Sequence, residues 1–244
     1  MSIYTVPDWF EWGELAPHRD QIQWEIFSLG VYDQYRSVKT HDVVVDIGAS
    51  VGPFSYIAGI KNPKKIVLVE PSKNLLRTAT KNLSEFMLGK YPNPCVFVNA
   101  AIGNSSDQNI SVQNTEHTIY GNESNFHQMT FAQLLNNYKI DHIDFLKIDC
   151  EGGEYDIFTD ENLNFLKNHV GFIACEVHSR FINNGPEKFQ KLRQMILDNF
   201  DNYHLTISWQ HKYLHVDIRP MIHNAAFMDY IISTQEMMLY IINK

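Results

Sequence analysis

Short runs of apolar residues alternate with longer segments of mixed polarity along most of the chain. The runs "DVVVDIG" from Asp42 and "KKIVLVEPS" from Lys64 are typical of buried strands, and "PFSYIAGI" between them has helical spacing. Further strands are predicted at "CVFVNAAI", "IDFLKIDCEG" and "VGFIACEVH", with helices at Lys73–Leu88, near "TFAQLLNNY" and from Pro186 to Phe200. This order predicts an α/β fold with a doubly wound, mostly parallel sheet covered by helices on both faces.

Both ends of the chain depart from this alternation. Residues 1–41 are rich in aromatic side chains, and from Gln21 onward the apolar spacing is nearer helix than strand. We therefore expect a helical N-terminal cap or lid on a domain of residues 42–244. The polar segment Gly103–Gln128 predicts a long loop or a weak hairpin. Near the C-terminus, "YHLTISW" and "AFMDYIIST" are predicted to pair as an antiparallel hairpin.

Composition and charge narrow the partners of the protein. The 244 residues are 44% hydrophobic and 20% charged, which is typical of a globular chain long enough for one full core. The net charge of -8 disfavours a surface that tracks phosphates, so we expect no nucleic acid and no membrane as partner. Cys95, Cys150 and Cys175 lack metal-ligand spacing and no signal peptide is evident, so we expect reduced thiols in the cytoplasm. The oligomeric state is left open.

The turn after the first predicted strand, "DIGASVGPF", resembles a nucleotide-binding turn. A dinucleotide turn needs Gly-x-Gly-x-x-Gly, but Ser50 and Pro53 occupy the second and third glycine positions, which disfavours a nicotinamide oxidoreductase. What remains is Asp46 with Gly48 and Gly52, spaced so that a small cationic ligand can lie against the turn. The carboxylate of Asp46 suits an ammonium or a sulfonium.

Glu70 ends the second predicted strand. In open α/β sheets an acidic residue at this place accepts hydrogen bonds from a ribose diol. The chain therefore carries a signal for a nucleoside without a signal for a phosphate, and this combination predicts S-adenosylmethionine. The alternative is that Gly48 and Gly52 only make a tight turn and that Glu70 is a solvated strand end.

Several blocks of the sequence resemble, in this order, those of the FkbM-type methyltransferases. The blocks are "VVVDIGASVGPFSYIA", "VLVEPSKNLLRTATKNL", "VNAAIGN", "MTFAQLL", "IDFLKIDCEGGEYDIF" and "FIACEVH". The resemblance covers roughly Asp42 to His178. It implies the class I methyltransferase fold, a Rossmann-like sheet of seven strands with the last one antiparallel. It also implies methyl transfer from S-adenosylmethionine to hydroxyl oxygens of sugars and of polyketide-like small molecules.

The resemblance also implies a set of cofactor contacts. These are the turn residues Asp46, Gly48, Ala49 and Gly52, the strand end Glu70, Pro71 and Ser72, and, where this fold contacts the adenine edge, Asn99, Ala100 and Ala101. For Asn99 the alternative is a turn-forming role. The aromatic N-terminal stretch and the residues after about Arg180 lie outside the resemblance, so it does not identify the acceptor.

Acidic residues and a histidine end two later strands. Lys147, Asp149 and Glu151 alternate in "KIDCEGGE", and Glu176 and His178 alternate in "CEVH", so each set points the same way if the backbone stays extended. The carboxyl ends of strands in a doubly wound sheet open into the ligand crevice, and we expect the two sets to surround one site. The alternative is a structural salt-linked network neutralised by Lys147.

Methyl transfer to an alcohol requires alignment and a base for the hydroxyl proton. His178 is the best-matched base at neutral pH, and Asp149 or Glu151 could serve if burial raises the pKa of its carboxyl. A second route is a divalent ion, with Asp149, Glu151 and Glu176 as oxygen ligands for Mg²⁺. The sequence thus predicts an S-adenosylmethionine-dependent O-methyltransferase acting on a sugar, glycan or small-molecule natural product.

Two further classes share the fold. A nucleic-acid methyltransferase would usually bring a basic surface or an acid-or-amide-Pro-Pro-aromatic motif, and neither is evident in the sequence. A catalytically inactive relative that kept the cofactor turn is the other, and the intact acidic cluster argues against it.

Overall fold

The strands and helices of the computed structural model follow the order that the sequence predicts for most of the chain. The structure describes residues 4–87, 95–104, 109–111, 125–179, 182–208, 215–234 and 237–243. The strands are β1 (Val43–Ile47), β2 (Lys65–Val69), β3 (Cys95–Val98), β4 (Ala101–Ile102), β5 (Asn109–Ser111), β6 (Asn125–Met129), β7 (Ile143–Ile148), β8 (Val170–Val177), β9 (Tyr203–Ser208), β10 (His215–Asp217) and β11 (Met237–Ile242). The helices are α1 (Arg19–Ile22), α2 (Pro53–Ile60), α3 (Lys73–Met87), α4 (Phe131–Asn137), α5 (Glu154–Ile157), α6 (Asp160–Asn168), α7 (Gly185–Asn199) and α8 (Ala225–Thr234).

The main sheet has eight strands in the order β10-β9-β11-β8-β7-β1-β2-β3. The strands from β8 to β3 pair in parallel, whereas β11 lies antiparallel between β8 and β9. This confirms the predicted α/β fold with its mostly parallel sheet and antiparallel last strand. The short β10 adds one strand at the edge by pairing with β9.

Both faces of the sheet are covered, which explains why its central strands are apolar throughout. Val45 and Val67 belong to one hydrophobic core, and their sequence neighbours Val44 and Leu68 belong to the other. Successive side chains of a strand point to opposite faces, so a strand buried on both faces needs apolar residues at every position. A doubly wound fold is the result.

The N-terminal segment, residues 4–41, consists of short helical turns, in line with its predicted helical spacing. α1 continues directly into a π-helical stretch, Gln23–Leu29, and 3-10 turns lie on either side at Gly13–His18 and Val31–Asp33. The division of the chain at residue 42 stays a prediction.

Aromatic packing and one buried hydrogen bond attach this segment to the sheet. The rings of Phe10 and Phe27 lie 5.8 Å and 6.2 Å from the ring of Tyr56 in α2. The Tyr240 hydroxyl of β11 donates a hydrogen bond of 2.6 Å to the main-chain oxygen of Val31. These contacts bring the last turn of the segment to the carboxyl edge of the parallel strands.

The predicted C-terminal hairpin is wrong in its second strand. "AFMDYIIST" forms α8, because Met228, Ile231 and Ile232 follow helical spacing and are buried together on one face. The strand that pairs with β9 is the following run, β11. The sequence interpretation also missed α6, which begins after Thr159, whose side chain accepts a hydrogen bond from the Asn162 N–H.

The polar segment Gly103–Gln128 contains part of a hairpin. β5 and β6 pair antiparallel, and the positions 105–108 and 112–124 of that prediction lie outside the described residues. Cys95, Cys150 and Cys175 are free thiols. Among the helices that the structure describes, none combines the length and the apolar character needed to cross a bilayer.

Candidate active site

The carboxyl ends of the parallel strands bring the predicted site residues to one edge of the sheet. The turn after β1, the end of β2, the end of β7 and the end of β8 lie in the neighbouring positions that the strand order gives them. Parallel strands end at the same edge, so residues far apart in the chain meet there.

The turn after β1 packs against the main chain of the neighbouring strands β2 and β7. The N–H groups of Gly48 and Ala49 both donate to the Val69 carbonyl, at 2.9 Å and 3.0 Å. Gly48 has φ +76°, and a Cβ atom there would lie 1.6 Å from the Asp149 carbonyl oxygen. The segment that follows β7 therefore makes a close approach that requires this glycine, and the contact of Gly48 with the cofactor stays a prediction.

A glycine is needed at position 52 for a different reason from that at position 48. Its φ of +83° begins α2 as the residue before Pro53, and the atom nearest to a Cβ there is the Ala79 Cβ at 3.3 Å. A proline is well tolerated in the first helical turn, because its missing N–H would have no intrahelical partner. Pro53, which occupies the third glycine position of the dinucleotide pattern, is thus the first residue of a helix.

Asp46 lies beneath the turn and has no accessible surface. Its carboxylate accepts a hydrogen bond of 2.7 Å from Ser55 Oγ and lies 3.1 Å from Lys147 Nζ. Burial disfavours the charge of Lys147, but the carboxylates of Asp46 and Asp149 outweigh that effect and raise its pKa. Lys147 is therefore the cation paired with Asp46 in the structure, and the contact of Asp46 with a cationic ligand stays a prediction.

Glu70 is held at the end of β2 by two backbone donors. Its Oε2 accepts from the Ser50 N–H at 2.9 Å and its Oε1 from the Ser72 N–H at 2.8 Å. Burial raises the pKa of Glu70 to about 7, in spite of these hydrogen bonds. With 6% of its surface exposed, Glu70 is not the solvated strand end of our alternative interpretation.

Some of the other predicted cofactor residues make hydrogen bonds that hold the turn after β2, and others are buried in the hydrophobic cores. Asn99 Nδ2 donates to the carbonyls of Glu70 and Pro71 at 3.1 Å and 2.7 Å, which favours the turn-forming alternative. Ser72 is buried, and its Oγ accepts a hydrogen bond from an N–H in the first turn of α3 at 3.3 Å. Ala49 and Ala100 lie in the hydrophobic cores, whereas Ala101 is half-buried, and the cofactor contacts of all three stay predictions.

The ends of β7 and β8 form an acidic cluster around one histidine. His178 Nε2 lies 3.8 Å from Asp149 Oδ1, 3.6 Å from Glu151 Oε1 and 3.9 Å from Glu176 Oε1. The structure thus brings together the five residues of the two alternating patterns, since Lys147 Nζ also lies 3.4 Å from Asp149 Oδ2. Glu151 reaches its place through a left-handed backbone conformation, φ +52°, so the extended geometry ends before it.

Glu154 was missed, although it is the last acidic residue of "KIDCEGGE". It has no accessible surface, and its carboxylate accepts hydrogen bonds of 2.7 Å from the N–H groups of Gly152 and His178. Its Oε1 also lies 3.5 Å from His178 Nδ1. A glutamate directly after two turn-forming glycines was the signal that could have identified it.

Tyr32 was missed as well. Its hydroxyl donates to Asp149 Oδ2 at 2.7 Å and lies 3.2 Å from Glu176 Oε2. Tyr32 comes from the N-terminal segment and has no sequence feature that distinguishes it from the other aromatic residues there.

The charges of the cluster decide the protonation state of His178. Burial alone would lower its pKa, but the hydrogen bond and charge of Glu154 and the charges of Glu176 and Glu151 raise it well above the usual range. The surrounding carboxylates thus favour the protonated ring, and the role of His178 as a base stays a prediction.

Asp149 responds in the opposite direction. Burial alone would raise its pKa, but the positive charges of Lys147 and His178 and the hydrogen bond from Tyr32 outweigh it, and the pKa is lowered. Asp149 is ionised at neutral pH.

Three of these residues have ligand atoms within metal-binding distance of one another. One atom each of Asp149, Glu151 and His178 lies within 4.8 Å of the other two. The predicted metal set contained Glu176 instead of His178. A histidine that ligates a metal usually directs its other ring nitrogen at a carboxylate, as His178 Nδ1 does towards Glu154. The residues present therefore fit a divalent cation.

Comparison with known proteins gives one family match. A family model described as the methyltransferase FkbM domain matches residues 46–205. No curated protein sequence is similar enough to the chain to be matched.

Solved structures resemble the chain at low sequence identity. The structure of methyltransferase FkbM from Methylobacillus flagellatus KT is 14% identical, with a TM-score of 0.53 over 86% of this chain and 45% of that one. A putative rRNA-methylase from Clostridium thermocellum is 10% identical, with a TM-score of 0.46 over 98% and 99% of the two chains. Spermidine synthase from Thermotoga maritima is 11% identical, with a TM-score of 0.46 over 91% and 58%. The chain spans less than half of the first of these proteins, and that likeness shows the fold.

Proposed function

Because the chain belongs to the FkbM methyltransferase domain family, we propose that it transfers a methyl group from S-adenosylmethionine to a hydroxyl oxygen of a sugar, a glycan or a small-molecule natural product. The observation that carries the proposal is the arrangement at one sheet edge. Glu70, at the end of β2, and the cluster around His178, at the ends of β7 and β8, flank the turn after β1. The proposed nucleoside site would thus lie beside a group of carboxylates and a histidine.

Glu70 is the residue proposed to bind the ribose. Each carboxylate oxygen has two lone pairs, and the Ser50 and Ser72 N–H groups each use one. The second lone pair of each oxygen is left to accept from a hydroxyl, and the two oxygens together suit a diol. When bound, S-adenosylmethionine supplies a methyl group on a positively charged sulfur, which is a good leaving group.

The acidic cluster is proposed to align the acceptor hydroxyl and receive its proton. Glu151 is the most exposed of the carboxylates, with 36% of its side chain accessible against 26% for Asp149 and 22% for Glu176. We therefore assign Glu151 as the first candidate for the base. Asp149, with its lowered pKa, is the weaker base and is better suited to accept a hydrogen bond that orients the hydroxyl.

We also propose that Asp149, Glu151 and His178 bind a divalent cation. When bound, such an ion orients a coordinated hydroxyl and lowers its pKa. The mixed oxygen and nitrogen ligand set suits Mn²⁺ or Zn²⁺ at least as well as the Mg²⁺ that an all-carboxylate set would favour. Glu154 and Glu176 keep the site negative around His178 and so favour a cation.

Calorimetry tests the cofactor site. S-adenosylmethionine and its demethylated product should both bind, since Glu70 addresses the ribose that they share, and Glu70→Ala should weaken both. The control is Glu161→Ala, which removes an exposed carboxylate on α6. Equal affinities in Glu70→Ala and in the control would remove the ribose assignment.

Radiolabelled methyl transfer tests the reaction. A panel of monosaccharides, glycosides, hydroxylated macrocycles and short RNA, each with the labelled methyl donor, distinguishes the proposed acceptor class from the nucleic-acid alternative. Glu151→Gln should lose turnover and keep cofactor affinity. Cofactor binding without turnover on any hydroxyl acceptor would favour the inactive relative.

Calorimetric titration with Mg²⁺, Mn²⁺ and Zn²⁺ tests the cation site. Binding should be weakened in Asp149→Asn and in His178→Gln, whereas Glu161→Gln should bind as the unmodified protein does. If none of the three ions binds, the cluster acts through its own charges and the cation proposal is wrong.

A further inference from the structure

One residue of the N-terminal segment lies inside the acidic cluster. Tyr32 is outside residues 46–205, the part of the chain that the family model matches. Only 3% of its surface is exposed. Its hydroxyl donates to Asp149 Oδ2 at 2.7 Å, and Glu176 Oε2 lies 3.2 Å away as a second acceptor. Tyr32 thus connects the carboxylates that end β7 and β8.

Packing fixes the ring of Tyr32 on two sides. Lys147 Nζ lies 5.3 Å from the ring centroid, and the ring of Phe54 meets it edge-on at 5.5 Å. A lysine over an aromatic face is attracted by the ring, and the ring excludes water from it. Tyr32 therefore has little freedom to turn away from Asp149.

The hydroxyl of Tyr32 and the ring of His178 lie near opposite oxygens of the same two carboxylates. Tyr32 lies at Asp149 Oδ2 and Glu176 Oε2, whereas His178 Nε2 lies 3.8 Å from Asp149 Oδ1 and 3.9 Å from Glu176 Oε1. A carboxylate held at one oxygen cannot rotate freely, so the hydrogen bond aims the other oxygen at His178.

We propose that Tyr32 is a positioning residue of the methyl-transfer site, and that it orients the Asp149 and Glu176 carboxylates towards His178 and the acceptor. The proposal rests on the proposed function for its catalytic meaning. The site would then be assembled from both the N-terminal segment and the family domain, with the segment supplying a hydroxyl donor to the Asp149 carboxylate.

The direct test is a carboxyl titration of Asp149 by ¹³C NMR, with the resonance assigned through Asp149→Asn. Tyr32→Phe keeps the ring and removes the hydroxyl, so the Asp149 carboxylate loses the hydrogen bond that stabilises its ionised form, and its pKa should shift upward. The matched control is Tyr240→Phe, which also removes a buried tyrosine hydrogen bond, to Val31 of the same segment, without a contact to Asp149.

Melting temperatures separate positioning from packing. Tyr32→Phe and Tyr240→Phe should lose similar stability, and only Tyr32→Phe should shift the Asp149 titration. An unchanged titration in Tyr32→Phe, or the same shift in both variants, would overturn the proposal. If Tyr32→Phe does not fold, the Cζ resonance of Tyr32 is followed by NMR in the unmodified protein. This resonance should change as Asp149 ionises, and a resonance that does not respond would contradict the hydrogen bond.

Turnover tests the catalytic meaning separately. With an acceptor that supports methyl transfer, Tyr32→Phe should lower kcat by roughly 10- to 100-fold, because small misalignments are costly, while cofactor affinity stays unchanged. An unchanged kcat would reduce Tyr32 to a structural role. Should no acceptor be methylated by the unmodified protein, the proposed function fails while the titration still decides the contact.

Discussion

The two halves of the candidate site are built in different ways. On the cofactor side, protein groups already bind the charged residues: Glu70 accepts two backbone N–H groups, and Asp46 is paired with Lys147. On the catalytic side, His178 Nε2 lies between 3.6 Å and 3.9 Å from three carboxylates, each distance longer than a good hydrogen bond.

The cofactor side and the catalytic side of the site also differ in charge. Around His178, the side chains that the structure describes include the carboxylates of Asp149, Glu151, Glu154 and Glu176 against the cations Lys147 and His178 itself. A rigid, satisfied region is suited to one ligand shape, whereas an excess of carboxylates favours a ligand that brings positive charge or donors. We infer that cofactor binding is preorganised and that the catalytic side is completed by its ligands.

Gly48→Ala should have the largest effect and tests the rigidity of the cofactor turn. The new Cβ would lie 1.6 Å from the Asp149 carbonyl, and φ is +76°, so β1 and β7 must separate. We expect a loss of about 3 kcal/mol or more in the free energy of unfolding, measured in urea. Gly52→Ala is the control with positive φ but a nearest atom at 3.3 Å, and it should lose about 1 kcal/mol. Similar losses in the two variants would show that backbone conformation dominates.

Glu154→Gln tests the support of the catalytic side. The neutral amide keeps the shape but has a single acceptor oxygen, so one of the Gly152 and His178 N–H groups loses its hydrogen bond, and a loss of about 2 kcal/mol is expected. The pKa of His178 should fall, because its first supporting charge is removed. Histidine NMR titration measures the shift, and an unaltered His178 pKa would contradict the role of Glu154.

The pH dependence of divalent-cation binding tests whether the catalytic side is completed by a cation. The pKa of His178 is raised, so a metal ion must displace its proton at neutral pH. Affinity should rise by about tenfold per pH unit until that pKa is reached, as one proton is released per ion. Calorimetry in buffers of different ionisation enthalpy counts the protons. Binding without proton release would place the ion away from His178.

The pH dependence of cofactor binding should be the smallest effect. Glu70 has a pKa of about 7, so its ionised form, the better acceptor for a ribose diol, is lost as the pH falls through that value. Affinity for the demethylated cofactor should fall by up to about tenfold from pH 8 to pH 6, and Glu70→Gln should flatten the profile. The folded protein binds this proton more tightly than the unfolded chain. The resulting stabilisation is therefore present at low pH and is lost as the pH rises through about 7.

The sequence alone determined the sheet and the place of the site. Strands such as β1 and β2 are buried on both faces, so they are apolar at every position and can be recognised locally. Parallel strands end at one edge, so residues that follow them, such as Glu70, Asp149 and His178, could be assigned to one crevice without coordinates. The prediction of the second strand in the C-terminal hairpin was wrong, because an apolar run of that length suits a helix and a strand equally.

Only the tertiary structure decided what each site residue does. The requirement for Gly48 depends on where the Asp149 carbonyl lies, and the proton on His178 depends on how many carboxylates surround it. Neither is a property of the local sequence. Tyr32 and Asp149 are 117 positions apart in the sequence, and packing of the N-terminal segment on the sheet brings the Tyr32 hydroxyl to 2.7 Å from that carboxylate. Local patterns predict which elements form, whereas distances between side chains and their ionisation depend on how those elements pack.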